Sequence, residues 1–170
     1  MEGSDVLLTL VEVAVAFAGF SSIVVLFQRR DSEHWDFPTL YSYRAMLRNS
    51  LAAAFFSGLP FGLYYFELSA AVLWSICSGV LACFLVFPLR QFSAFVRGAG
   101  LMKMRSPRLT VLIVAGGHGA ALLLQVANAV GIGFSRELAP YLVGVLWLTA
   151  NSGLQFFNLV TLPLPDRPQE

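Results

Sequence analysis

Five stretches of the chain are each long enough to cross a bilayer as a helix and are almost empty of charge: residues 6–27, 49–66, 68–89, 109–134 and 138–164. A hydrocarbon core about 30 Å thick needs roughly 20 apolar helical residues. Of Asp, Glu, Lys, Arg and His, the first run holds only Glu12, the fourth only His118, and the other three none. Backbone amides in lipid must find partners within their own segment, so helices are the form such runs take, whereas a barrel would show short alternating segments. The expected fold class is all-α: a polytopic integral membrane protein, a bundle of five transmembrane helices forming a single domain over residues 1–170.

Composition agrees. The 170 residues are 57% hydrophobic and 12% charged, with a mean hydropathy of +0.71, more apolar surface than one soluble core of this size can hide. Eleven basic and ten acidic residues leave a formal charge of +1, so no global field recruits nucleic acid. Electrostatic meaning lies in where the charges sit. Arg29, Arg30, Arg44 and Arg48 flank the first connection, and Arg90, Arg97, Lys103, Arg105 and Arg108 flank the third. Both connections are expected in the cytoplasm. The second and fourth connections offer Glu67 and the Arg136-Glu137 pair, and the amino terminus is acidic. The amino terminus is therefore expected outside and the carboxyl terminus inside, in a bacterial cytoplasmic (inner) membrane. One alternative is a first segment that lies at the interface or is a cleaved leader, because Ala16-Phe17-Ala18 resembles a cleavage site. The acids Glu2 and Asp5 and the apolar continuation past residue 18 argue for retention.

The bilayer itself is the expected partner. Segments 28–45 and 90–108 mix rings and basic groups, with Trp35, Phe37, Tyr41 and Tyr43 in the first and Phe92 and Phe95 in the second. Such segments lie on anionic lipid headgroups, each nearby basic residue contributing about 1 kcal/mol, or serve simply as solvated positive loops. Cys77 and Cys83, six residues apart in one helix, point in nearly opposite directions, which disfavours a disulfide or a metal pair.

Candidate chemistry is sought where polar groups are expensive. In the first segment Asp5, Glu12 and Gly19 recur every seven residues, with Thr9, Ala16 and Ser22 beside them, so one helix face is small and acidic. Asp5, Glu12, Gly19 and Ser22 are the pore candidates. In the fourth segment His118, Gln125 and Asn128 share a face, as do Asn151, Gln155 and Asn158 in the fifth. The short turn between these segments implies an antiparallel hairpin with facing polar stripes. Counted from the outer ends, Glu12 lies about 9 Å deep, Gln125 about 13 Å, Asn151 about 20 Å, and His118 and Gln155 about 24–26 Å. Gln125 is then expected beside Glu12, and His118 beside Gln155. Each amide has a plainer reading as interhelical glue, worth about 0.6 kcal/mol per bond.

His118 sits in Gly116-Gly117-His118-Gly119, whose glycines leave room for a neighbouring helix, a file of water or a planar cofactor. A haem with two axial ligands would need a second histidine, yet His34 is outside every span, so no cofactor and no metal are expected. Pro60, between Gly58 and Gly62, removes a helix hydrogen bond that neighbours must make good. No catalytic triad, P-loop, dinucleotide fingerprint or paired metal histidines occur, and a non-enzyme is expected. The reading is a small, cation-favouring ion or proton channel working as a homo-oligomer. Its rivals are a noncatalytic accessory or scaffold subunit docking another membrane protein and, more weakly, a lipid-handling enzyme.

Overall fold

The computed structural model describes residues 3–31, 37–97 and 107–161, all organised around five helices: α1 (Ser4–Asp31), α2 (Phe37–Tyr64), α3 (Ala70–Arg97), α4 (Pro107–Val130) and α5 (Leu138–Thr161). Three of them contain a stretch long and apolar enough to cross a membrane: Ser4–Ile23, Ala70–Ala94 and Val111–Val130. An integral membrane protein is compatible with this architecture. His34, Trp35, residues 98–106 and the ends at 1–2 and 162–170 lie outside the described residues.

Helix boundaries differ from the apolar runs for local reasons. Much of segment 28–45, expected to lie along the interface, is helical, since α1 extends to Asp31 and α2 opens at Phe37. Charge ends an apolar run but does not end a helix. The opposite correction applies to α4, which stops at Val130 where the run continues to 134. Gly131 takes a left-handed φ of 79°, and the amides of Gly131 and Ile132 both donate to Ala127 O at 2.9 Å. This glycine cap closes the helix whatever the hydropathy beyond it. Pro107 opens α4, where a missing N–H goes unneeded.

The helices do not pack in chain order. α5 touches all four others, α1 packs chiefly on α2, α3 on α4, and the consecutive pair α2 and α3 meet only sparsely. The core joins Leu7, Leu10 and Ala14 of α1 to Ala53 and Phe56 of α2, Leu81 and Leu85 of α3, and Val145 and Leu148 of α5. Cys77 is buried and Cys83 exposed, as their spacing implies.

Pro60 lies inside α2 and is buried. Lacking an N–H, it cannot bond the carbonyl four residues back, that of Phe56. The Tyr141 hydroxyl of α5, itself fully buried, donates to Phe56 O at 2.5 Å. A neighbouring helix thus supplies the donor that the proline removed.

Candidate functional site

The α1 stripe faces outward. Asp5, Thr9, Glu12, Ala16, Gly19 and Ser22 are all exposed, while Leu7, Leu10, Ala14 and Ser21 form the buried face and Phe17 packs near Gly153 of α5. The bulky Val13 and Phe20 are exposed as well. Most polar groups on the stripe are satisfied within the helix. Thr9 Oγ1 donates to Asp5 O at 2.8 Å, Ser22 Oγ to Ala18 O at 3.1 Å, and Ser4 Oγ to the Asp5 carboxylate at 3.3 Å. Glu12 has no partner among the described residues.

The second polar group is interior, where α4 and α5 meet. Gln125 Nε2 donates to Pro140 O at 2.7 Å. Asn128 Nδ2 donates to Glu137 O at 3.0 Å and to Ser78 Oγ at 2.8 Å, while its carbonyl accepts from the Glu137 amide at 3.1 Å. Deeper, the His118 and Trp147 rings meet edge-on at 5.5 Å. These pairs define one antiparallel register, and it corrects the expected layering. His118 lies beside Trp147, two helical turns from Gln155. Residues 131–134 had been counted as helix, which placed every α4 side chain about 6 Å too deep. Glu12 and Gln125 are also separated, one on the outer surface and the other fully buried.

His118, Gln125, Asn128, Asn151 and Gln155 are all buried, whereas Asn158 is exposed. The His118 Nδ1–H donates to Val114 O at 2.8 Å, a carbonyl being only an acceptor, and this leaves Nε2 as a lone pair. Nε2 has no partner among the described residues, nor do Trp147 Nε1, Asn151 Oδ1, Asn49 Nδ2, Ser57 Oγ and Gln125 Oε1. Buried polar atoms of this kind are ordinarily satisfied, by protein or by water. Of the three occupants open to the glycine motif, the neighbouring helix takes the space at Gly117, where a Cβ would meet the Trp147 ring. Gly116 and Gly119 face open space.

Several members of this interior were not singled out from the chain. Ser152 Oγ donates to Met46 O at 2.9 Å, so Ser50 donates to Ser152 across 2.5 Å, tying α2 to α5. Ser75 Oγ donates to Ala129 O at 2.5 Å, tying α3 to α4. Arg48 reaches Asn49 Oδ1 at 3.4 Å and Gln91 of α3. The only hint of a role for Tyr141 was the bond lost at Pro60; the serines carried none.

Among the described residues the fold is all-α, with five helices of which three contain a stretch long and apolar enough to cross a membrane. No family model, curated protein or solved structure matches the chain.

Proposed function

We propose that the protein is a small, noncatalytic conduit for cations or protons, assembled from several copies whose α1 faces line the path. Glu12 carries this reading: an acid in an apolar helix, turned outward, with no partner among the described residues. A charged side chain against lipid costs about 2.5–3.5 kcal/mol on insertion scales. Repeating the helix around an axis turns that face toward water, and rings of carboxylates favour cations. The stripe's small residues allow the close approach that such an assembly needs.

In this reading all five helices cross a bacterial inner membrane, with the amino terminus outside. Mean hydropathy undervalues α5 because it counts every face alike. Its polar Thr149, Asn151, Ser152 and Gln155 are buried, while Val143, Leu146, Leu154 and Val160 are exposed. Reporter fusions at residues 1 and 170 should report opposite sides, and both ends on one side would overturn the five-span topology.

Glu12→Gln keeps the size of the side chain and removes its charge. Reconstituted at equal density, it should pass about tenfold less cation or proton current than wild type, with a smaller loss in Asp5→Asn, which is nearer bulk water and better screened. Gly19→Leu tests assembly, because Gly19 is exposed and a Cβ there meets no other helix within 4 Å among the described residues. Any loss of oligomer mass in mild detergent is then intermolecular, and a monomeric wild type overturns the shared path. The second reading, an accessory subunit, draws on the hydrogen-bonded groups that fill the single bundle. Wild-type flux no greater than that of empty liposomes would refute conduction and favour docking of another membrane protein through the same stripe.

A further inference from the structure

The sparse contact between α2 and α3 leaves a groove of about 790 Å³ on the side of the bundle. Its floor is Ala52 and Phe56, with the Phe84 ring 5.4 Å from that of Phe56. Leu51 and Phe55 form one wall, Val80 and Cys83 the other. Leu51, Phe55 and Val80 are exposed, so the groove opens toward whatever surrounds the helices.

One end is different in kind. Arg44 and Arg48, one helical turn apart, stand there on the same face of α2. Neither forms an ion pair among the described residues, and like charges at this spacing repel. Arg48 is held in place: it donates to Asn49 and to Gln91 of α3, and its guanidinium carbon stands 5.8 Å from the centre of the Phe87 ring. Arg44 is exposed. An apolar trough that ends in two cations with no ion pair among the described residues matches one chemistry, a hydrocarbon tail joined to an anionic headgroup.

We propose that this groove binds a single anionic phospholipid, its acyl chain lying along Leu51, Phe55, Val80 and Phe84 and its phosphate between Arg44 and Arg48. The site differs from general attraction of a basic loop to a leaflet, because the two guanidinium groups are presented at the mouth of an apolar trough and one is oriented by protein contacts. Two positions bridged by one phosphate also remove the repulsion between them. The binding does not depend on ion conduction.

Cys83 provides the readout, since it is free, exposed and on the groove wall, whereas Cys77 is buried. The intact protein, stripped of lipid in detergent, is titrated with phosphatidylglycerol or phosphatidylcholine. Native mass spectrometry counts the bound lipid, and alkylation of Cys83 by a maleimide locates it. One phosphatidylglycerol should bind about tenfold more tightly than phosphatidylcholine and slow alkylation several-fold. Arg44→Ala with Arg48→Gln should abolish the preference. If that pair disturbs the helical circular dichroism, Arg44→Ala alone decides, with an expected loss of about threefold in preference. Equal binding of the two lipids by wild type, unchanged preference in the arginine variant that folds, or bound phosphatidylglycerol that leaves Cys83 alkylation unaltered would each overturn the proposal.

Discussion

Tyr141→Phe should lower the stability of the bundle by about 2 kcal/mol, and Pro60→Ala should remove most of that loss. Ordinary interhelical bonds in membranes average about 0.6 kcal/mol and reach about 1.7, because a partner lost in one place is often replaced in another. Phe56 O has no such replacement. Its helical donor is absent because residue 60 is proline, and the Tyr141 hydroxyl occupies it at 2.5 Å in the buried core. Leaving a buried carbonyl unpaired costs about 1–3 kcal/mol beyond the bond itself, which places the effect at the upper end. Alanine at 60 restores the N–H that bonds residue 56, so the hydroxyl becomes nearly dispensable. Denaturant titration in mixed micelles of wild type, both single variants and the double variant measures the coupling. An interaction energy of about 1.5 kcal/mol is expected, and strict additivity within about 0.5 kcal/mol would show that Tyr141 and Pro60 act independently.

Gly117→Leu should destabilise by about 3 kcal/mol, the upper end of the usual range for overpacking. A Cβ at Gly117 would fall against the Trp147 ring, and at the reciprocal glycine of α5, Gly144, an added Cβ would lie 2.5 Å from Gln125 Nε2 and 2.9 Å from Leu81 Cδ2. Each helix therefore inserts a large side chain over the other's glycine. Relieving the clash at 117 means moving Trp147, which also loosens its edge-on contact with His118. Gly119 supplies the control. A Cβ there meets nothing within 4 Å, so Gly119→Ala should gain a few tenths of a kcal/mol or more from helix propensity. Equal effects at 117 and 119 in the same micelle titration would show that the close approach of α4 and α5 is not what requires glycine.

Much of this interior was legible in the chain. The spacing of His118, Gln125 and Asn128, and of Asn151, Gln155 and Asn158, identified residues that share a face, because helical periodicity is local, and of these only Asn158 is exposed. The missing N–H at Pro60 announced that a donor was needed. Depth was read less well: the Gly131 cap shortens α4, and without it His118 was set against Gln155. Arg44 and Arg48 read as loop charges because they precede the apolar run, yet both belong to α2 and stand at the mouth of its groove with α3.

Helicity, the positions of the apolar stretches and the side chains that share a face are all readable along the chain, since each follows from the solvation of neighbours on one helix. Packing between helices sets the outward direction of the α1 acids, the choice of Tyr141 as the donor to Phe56, and the groove where α2 and α3 part. Those outcomes rest on how side chains from distant parts of the chain fit one another. A helix bearing several small and polar stripes can pack through more than one of them, and periodicity ranks none above the rest. Here the choice falls to shape: Leu7, Leu10 and Ala14 seat α1 in the core, and Trp147 over Gly117 seats α5 on α4.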